Sequence, residues 1–310
     1  MILSVSSVNV DVQVRAADPD ARGTTIPATD PSIASGGKAA NVAHLVARLG
    51  APCRLAASVG GDQWGDLALS GPAALGVDIS LVQRSTLATG LTSIVVAPDA
   101  TKTMYRVAGA NDDWPDGAGA LVDAVSAAPT GSVLVVDLEV PRSVVCDVLR
   151  AARDAGLTVV VDPAPPERMP ADLAGLVDHV TPDVEEASEL TGTDAGTEGG
   201  ALDAAAHLHE LGVAHAHVKL SDGGSVLVGR SGTWVVRAPE ELAVVDSTGV
   251  GDAFAAGLAW ALHAGEDPVA AASWAVAAAS HAVTVYGSQP AAPTLDELRE
   301  LHRLVTVEAA

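Results

Sequence analysis

A chain of 310 residues, of which 48% are apolar, is long enough to fill the core of one large α/β domain or two smaller ones. Its 39 acidic and 17 basic side chains leave a formal charge of −22, which repels both the phosphate backbone of a nucleic acid and an anionic membrane surface. Composition therefore argues against nucleic-acid and membrane partners and favours small molecules.

Strand-like and helix-like segments alternate along most of the chain. Between Val-rich runs lie Ala/Leu-rich segments, such as AANVAHLVARLG and ALDAAAHLHELG, whose apolar residues recur three and four positions apart. This order predicts an α/β fold, with a mainly parallel sheet flanked by helices and a ligand site outside the carboxyl ends of the strands. The tail from Thr294 is predicted to be an amphipathic helix. The Val-rich runs are ILSVSSVNVDVQV, CRLAASVG, TSIVVAP, SVLVVDLE, LTVVVDPAP, HVTP, AHAHVKL and GSVLVG.

Two segments, approximately residues 10–35 and 88–110, lack helical spacing. The first contains breakers such as Pro19 and Pro31, and the second has the pattern of short β segments interrupted at APDATK. We predict that both are inserted into a single domain spanning residues 1–310, where they form a small β-sheet lid over the site.

The two cysteines, Cys53 and Cys146, are too few for a disulfide framework and lack the spacing of metal ligands. We interpret them as buried, reduced thiols. The amino-terminal residues lack the basic start of a signal peptide, and the apolar runs end before the ~20 residues that span a bilayer. A soluble, cytoplasmic protein is therefore predicted.

The segment DSTGVGDAFAAGLAWALHAG, residues 246–265, joins an apolar run to a stretch with helical spacing. Unpaired N–H groups at a helix amino terminus suit an anion, and the glycines allow its close approach. A dinucleotide fingerprint needs a small residue where Phe254 stands, and a P-loop at SIASGGKAA fails at Ser32 and Ala39. Gly249, Val250 and Gly251 are therefore predicted to bind a phosphate.

Asp252 follows this anion loop directly and has two interpretations. It could cap the helix, as a carboxylate before the first turn does. Alternatively, it accepts the proton of an attacking hydroxyl while the loop N–H groups stabilise a phosphoryl group in transit.

The sequence DSTGVGDAF resembles the carboxyl-terminal signature of the ribokinase family, the pfkB carbohydrate kinases, which ends in a catalytic base. The stretch SGGKAANVAHLVARLG at residues 35–50 is similar to the family's amino-terminal signature, and the similarity extends along nearly the whole chain. The resemblance implies a ribokinase-like, Rossmann-type domain that transfers the γ-phosphoryl group of ATP to a primary hydroxyl of a sugar. Asp252 would be the base. Lys38, after two glycines, is typical of ribokinases proper, so D-ribose is the expected substrate.

For the sugar, the resemblance implies a set of carboxylate, amide and Gly-Gly-Lys positions. Such groups can pair with adjacent hydroxyls and reject analogues that leave a buried partner unmatched. Each residue taken singly could instead serve a turn or a strand end. The set comprises Asn9, Asp11, Gly37, Lys38, Asn41 and Glu139.

For the nucleotide, the resemblance implies the motifs TPDVEE and KLSDGG. Asp183 stands where the family commonly has Asn, and Glu186 is expected to bind magnesium through water. A solvated helix start is the alternative for these two acids, as a strand end is for Lys219. Ser221 and Gly224 complete the expected nucleotide residues.

Potassium is a further expected cofactor, because ribokinases use a monovalent cation that backbone oxygens and an Asp bind beside the anion loop. The matching positions are Asp246, Thr248, Ala282 and Gly287, although Ala291 stands where a hydroxyl residue often follows Gln-Pro.

The sequence is also compatible with other functions. Within the kinases, the substrate could be a fructose-like sugar, a ketodeoxy sugar acid or a nucleoside, since PDARGTTI replaces the early lid stretch of many ribokinases. A sugar-binding or regulatory protein without turnover is the alternative from another class. The resemblance also makes a homodimer through the lid plausible, with Ile33 as a candidate contact.

Overall fold

The computed structural model describes residues 1–18, 23, 25–98, 101–240, 242–287, 289 and 292–310. The sequence features at Pro19 and Ala291, and much of PDARGTTI, lie outside these ranges. The strands are β1 (Ile2–Val5), β2 (Asn9–Ala16), β3 (Ala28–Gly36), β4 (Cys53–Gly60), β5 (Asp78–Ser85), β6 (Gly90–Val96), β7 (Lys102–Val107), β8 (Val133–Asp137), β9 (Thr158–Asp162), β10 (His179–Val180), β11 (His215–Lys219), β12 (Ser225–Gly229), β13 (Gly232–Arg237) and β14 (Thr306–Ala309). The α-helices are α1 (Lys38–Arg48), α2 (Gln63–Ala74), α3 (Gly119–Ser126), α4 (Arg142–Ala155), α5 (Val184–Thr191), α6 (Glu198–Glu210), α7 (Val250–Ala264), α8 (Pro268–Ala282) and α9 (Leu295–His302).

The large sheet has the order β14-β13-β12-β11-β10-β9-β8-β1-β4-β5. The strands from β11 to β5 pair in parallel, whereas β12, β13 and β14 are antiparallel. Helices α1, α2, α7 and α8 cover one face, and α3 to α6 cover the other. The predicted mainly parallel sheet flanked by helices is confirmed.

A second, four-stranded sheet has the order β3-β2-β6-β7. It is built from the two segments that lack helical spacing, so the expected small separate sheet is also confirmed. The sequence showed one apolar run through residues 2–14, but the structure divides it: β1 pairs in the large sheet and β2 in the small one. The division falls where the backbone N–H of Val8 donates to Asn111 Oδ1 at 2.9 Å instead of continuing a strand ladder.

The carboxyl-terminal tail contains the predicted helix and one element that the sequence did not indicate. Thr294 caps α9 through its hydroxyl, which accepts the N–H of Glu297. After the helix, β14 adds an antiparallel edge to β13. Its four residues are exposed, so they carry no apolar alternation from which a strand could be predicted.

Helix α7 packs against α8 with little space between their backbones. A Cβ placed on Gly257 would lie 2.8 Å from Ala278 Cβ and 3.0 Å from the carbonyl oxygen of Trp274. The facing residues are mostly buried alanines, and small side chains allow helices to approach closely. This contact fixes α7, whose amino terminus carries the anion loop.

Cys53 and Cys146 are buried and free, as predicted. Burial raises the pKa of the Cys53 thiol to about 12, so this side chain stays protonated. Among the described residues, none of the helices combines the length and hydropathy that a bilayer crossing requires.

Candidate active site

A cavity of about 370 Å³ lies at the carboxyl ends of the parallel strands, bounded on one side by the small sheet. Glu139 follows β8 and Asp183 follows β10, while Thr92 and Met104 come from β6 and β7. The site therefore lies where a parallel α/β sheet places its ligands. The predicted residues that line this cavity are Asn9, Asp11, Gly37, Lys38, Asn41, Glu139, Asp183, Glu186, Lys219, Thr248, Gly249, Val250, Gly251 and Asp252.

Asp252 is the third residue of α7, because the helix begins at Val250 and Gly249 occupies the N-cap position. Its side chain forms no cap, so the helix-cap interpretation is not supported. Asp252 is 7% exposed and faces the cavity, where Oδ2 accepts a hydrogen bond of 2.7 Å from Asn41 Nδ2. Its carboxylate is therefore held at a fixed place beside the proposed phosphate loop.

The anion loop has the backbone that its glycines allow. Gly249 has φ of +74°, a left-handed conformation that residues with a Cβ rarely adopt. The next two N–H groups belong to the first helical turn and have no acceptor four residues earlier within the helix. A Cβ on Gly251 would lie 3.2 Å from Lys219 Nζ, so glycine keeps this ammonium close to the loop.

Lys38 connects two carboxylates beneath the cavity. Its Nζ lies 3.0 Å from Asp162 Oδ2 and 3.6 Å from Asp252 Oδ1. Burial alone would lower the pKa of the Lys38 ammonium, but the charges of Asp162 and Asp252 outweigh it and raise that pKa well above the ordinary value. Asp162 was not singled out from the sequence, although a carboxylate ending the buried run VVVD was the available signal.

The pKa values of Asp252 and Asp162 are shifted in opposite directions, because the two carboxyl groups have different neighbours. Burial raises the pKa of Asp252, while Lys38 and the hydrogen bond from Asn41 act in the opposite direction. Burial also acts to raise the pKa of Asp162, but the charges of Lys38 and Lys219 outweigh it, so this pKa is lowered. Of the two, Asp252 is the better proton acceptor, since its conjugate acid is weaker.

The proposed sugar residues are positioned by glycines that admit close backbone contact. Asn9 and Asp11 alternate along β2, so they share one face of the strand. A Cβ on Gly37, where φ is +90°, would lie 2.7 Å from the backbone nitrogen of Asn9. Asn111 Nδ2 donates to Asn9 Oδ1 at 2.7 Å and fixes that amide. These contacts hold Asn9 and Gly37 in place at the wall of the cavity.

Arg106 of β7 is a cavity residue that sequence reasoning missed. Its Nη1 lies 3.1 Å from Glu139 Oε2, and both side chains line the cavity. The alternation of KTMYRV places residues 102, 104 and 106 on one strand face, but the sequence does not tell which face that is.

Asp11 should make the stability of the ligand-free protein depend on pH. Burial raises its pKa to about 6, opposed by a hydrogen bond from Thr92 and reinforced by the charges of Asp252 and Glu139. The folded carboxyl thus binds its proton more tightly than the unfolded one, and stability falls as pH rises from about 4 to about 6. Asp11→Asn removes this loss and should raise the free energy of unfolding at pH 8 by roughly 3 kcal/mol.

Urea unfolding of the wild type and Asp11→Asn at pH 4 and pH 8 measures this effect. The two proteins should differ at pH 8 and converge at pH 4, whereas the affinity of the variant for sugar should fall. Equal stabilities at pH 8 would contradict the raised pKa.

A second cavity, also about 370 Å³, adjoins the first on the side of α5. Asp183, Lys219, Val250 and Gly251 line both cavities, and Ser221 lines the second one. Gly224 lies in the turn between β11 and β12, where its carbonyl accepts the N–H of Leu220. The anion loop is therefore placed between two connected spaces.

Asp183 and Glu186, two of the three acids in TPDVEE, form a helix start and also line the cavity. Asp183 Oδ1 accepts the N–H groups of Glu185 and Glu186 at 2.9 and 2.8 Å, and Glu186 Oε2 accepts the N–H of Asp183 at 2.9 Å. Burial raises the pKa of Glu186, as does the charge of Asp162. Asp183 and Glu186 thus cap the start of α5, as the alternative interpretation predicted. Both residues nevertheless line the cavity as well.

These carboxylates fit magnesium. The ion prefers oxygen ligands, keeps several waters and commonly takes one or two carboxylates plus substrate phosphates. Within the described ranges, no group of three or more His, Cys, Asp or Glu side chains could hold a metal. Magnesium at this site would therefore depend on water and on the phosphates of a nucleotide.

Asp246 joins the segment before the anion loop to the segment that follows α8. Its Oδ1 accepts the N–H of Thr248 at 2.9 Å, and its Oδ2 accepts the N–H of Gly287 at 2.9 Å. The N–H of Val245 donates to the carbonyl of Val283 at 2.7 Å, one residue beyond Ala282. The four residues expected at a monovalent cation site thus lie on two segments in direct contact.

Comparison with known proteins identifies relatives along the whole chain. The model of the pfkB family carbohydrate kinases matches residues 1–295. Ribokinase from Haemophilus influenzae is 30% identical over 297 residues, covering 96% of this chain and 96% of that protein. Ribokinase from Bacillus subtilis is 28% identical over 305 residues, covering 97% and 98% of the two chains.

A solved structure of Arabidopsis thaliana ribokinase complexed with ribose and ATP has a similar fold. The TM-score is 0.85 at 29% identity, and the match covers 97% of this chain and 98% of that one.

Proposed function

The chain belongs to the pfkB family of carbohydrate kinases, and we propose that it transfers the γ-phosphoryl group of ATP to a primary hydroxyl of D-ribose. One observation carries this proposal: the buried Asp252 carboxylate faces a cavity that it shares with the amino terminus of α7 and with Asn9, Asp11 and Lys38. A base, an anion site and groups for sugar hydroxyls are therefore adjacent. The similarity to ribokinases favours ribose over other sugars.

In the proposed reaction, Asp252 accepts the proton of the sugar hydroxyl as that oxygen forms a bond to the γ-phosphorus. The bond between the γ-phosphorus and the β,γ-bridging oxygen breaks, and ADP leaves with the electron pair. The N–H groups of Val250 and Gly251 lie in the first helical turn, where they have no acceptor within the helix. They are therefore able to donate to the phosphoryl oxygens during transfer. Lys219 adds a positive charge next to this loop.

The sugar is held by groups that reach its hydroxyls from several elements. Asp11 accepts hydroxyl protons when ionised, while Asn9 and Asn41 can both donate and accept. Asn41 also fixes Asp252 through its hydrogen bond, so sugar binding and the orientation of the base depend on one amide. Bound magnesium would neutralise charge on the polyphosphate, with Glu186 and Asp183 as the residues that hold it through water.

A substrate panel tests the proposed function. With ATP and magnesium, D-ribose should give a higher kcat/KM than fructose, a 2-keto-3-deoxy sugar acid or adenosine. Preference for another acceptor would support the kinase activity but would show that D-ribose is not the preferred substrate. Binding of a sugar without release of ADP would instead support the alternative of a silent binding protein.

We also propose that the protein is cytoplasmic, which its buried free thiols support. A homodimer through the small sheet is the expected assembly, since large apolar side chains are exposed there. Ile33, Tyr105 and Val107 are 55%, 63% and 55% exposed. An exposed apolar patch on a soluble protein commonly marks a contact surface.

Ile33→Asp should convert this dimer to a monomer, because a charge would lose its water in the interface. Sedimentation velocity measures the change. Leu211→Asp, on a residue 52% exposed at the end of α6, is the control and should leave the dimer intact. A monomeric wild type would contradict the proposed assembly.

A further inference from the structure

Lys102 begins β7, the edge strand of the small sheet, and its side chain reaches the anion loop of the large domain. Because side chains alternate along a strand, Lys102 shares its face with Met104 and Arg106, which both line the cavity. The strand thus contributes to the site at both ends. Arg106 pairs with Glu139 at the sugar end, and Lys102 approaches Asp246.

The Lys102 ammonium makes two short contacts. Its Nζ lies 2.7 Å from Asp246 Oδ1 and donates to Thr248 Oγ1 at 2.6 Å. Thr248 Oγ1 in turn donates to Asp246 Oδ1 at 2.8 Å. The Lys102 and Asp246 side chains are only 13% and 3% exposed, so this pair is largely removed from solvent. A charge-assisted contact of this kind is stronger than one in water.

Both oxygens of the Asp246 carboxylate have partners in this arrangement, and Oδ1 faces the Lys102 ammonium while it also accepts from Thr248. One negative charge therefore faces one ammonium, and the second oxygen is used by the N–H of Gly287.

A free monovalent cation does not fit beside this pair. The expected potassium ligands are backbone oxygens and the Asp246 carboxylate, and this carboxylate, the charged ligand of the set, already pairs with the Lys102 ammonium. A second cation at the same oxygens would be repelled by a charge that solvent screens little. The negative charge of Asp246 is thus balanced by the Lys102 side chain.

We infer that the Lys102 ammonium takes the place of the potassium ion, so that the anion loop is held in position without a monovalent cation. This inference rests on the proposed kinase function. Lys102 is a positioning residue: it fixes Asp246 and Thr248, the latter immediately before the Gly249 N-cap of α7. Through them it sets where the loop N–H groups point.

Kinetics with exchanged cations test the inference. Ribose phosphorylation is measured in KCl and in choline chloride at equal ionic strength, for the wild type, Lys102→Met and Lys102→Arg. The wild type should change by less than about twofold between the salts, and Lys102→Met should lose about tenfold in kcat in choline chloride and regain it in KCl. KM for ribose should change far less than kcat. Lys102→Arg keeps the charge and should stay indifferent to potassium.

Thermal unfolding of the ligand-free proteins gives a readout independent of activity. KCl should raise the Tm of Lys102→Met relative to choline chloride, because the ion binds only the folded state. It should not change the Tm of the wild type or of Arg303→Met, which removes a cation from an exposed ion pair with Glu300.

The possible outcomes are distinguishable. If the wild type needs potassium for activity, the inference is wrong but the proposed kinase function stands. If the wild type has no activity in either salt, the proposed function itself is refuted. A Lys102→Met protein that matches the wild type in choline chloride, or that is impaired and not rescued by potassium, overturns the inference as well.

Discussion

Asp252→Asn is expected to lower kcat by on the order of 10²-fold or more, while the Kd for D-ribose changes by less than about threefold. The amide has nearly the same shape and can still contact Asn41, but it cannot accept the proton of the attacking hydroxyl. Since the base acts only as the phosphoryl group transfers, its loss affects the transition state more than the bound sugar. Single-turnover kinetics and calorimetric titration with ribose measure the two quantities separately.

Asp147→Asn is the matched control. This carboxylate lies on α4 with 55% of its side chain exposed and pairs with Arg150, at 3.9 Å. Its replacement should leave kcat unchanged. An Asp252→Asn enzyme that turns over at the wild-type rate would show that another group accepts the proton.

Lys38→Met should reduce both stability and activity, because it leaves two buried carboxylates without their shared cation. The side chains of Asp162 and Asp252, taken without their backbone atoms, are 4% and 10% exposed, so neither regains full hydration when the ammonium is removed. Breaking such a pair from one side costs about 3 kcal/mol or more of unfolding free energy at pH 8. kcat/KM should fall by on the order of 10³-fold, as a sugar contact and a charge next to the base are lost together.

The effect of Lys38→Met should depend on pH in a definite direction. In the wild type, Lys38 and Lys219 lower the pKa of Asp162, so that carboxylate contributes stability that is lost as pH falls below its ordinary range. Without Lys38, the pKa values of Asp162 and Asp252 rise, and their ionisation destabilises the folded state as pH increases. The stability difference between wild type and variant should therefore shrink from pH 8 toward pH 4.

Urea unfolding across this pH range measures the trend. Arg48→Met, in the last turn of the same helix, removes an exposed cation and should have little effect at any pH. A difference between Lys38→Met and the wild type that grows as pH falls would contradict the pairing.

Local features of the fold could be read from the sequence because they repeat a physical pattern. Val-rich strands alternating with Ala/Leu-rich helices predict the parallel sheet, and Gly249 and Gly251 before a helical run predict an anion loop. Proline and the lack of helical spacing indicated the small sheet. The placement of Asp252 inside the helix rather than at its cap required the structure, since a shift of three residues decides it.

Contacts between distant segments could not be read in this way. Lys102, Arg106 and Asp162 approach the site only through tertiary packing, and each has an ordinary alternative as a strand residue. No local spacing distinguishes a lysine that faces solvent from one that meets Asp246, 144 positions along the chain. The exposed strand β14 was missed for a related reason, because its pairing partner rather than its composition makes it a strand.

The close contact between α7 and α8 at Gly257 limits where the site can adapt to its substrate. Because the backbones of α7 and α8 are in close contact, we expect the helix that carries Asp252 to move little when a substrate binds. Any adaptation to the size of the acceptor must come from the opposite wall, where Thr92, Ile94 and Met104 line the cavity. Substrate choice can therefore evolve on one side of the cleft while the machinery on the other side stays rigid.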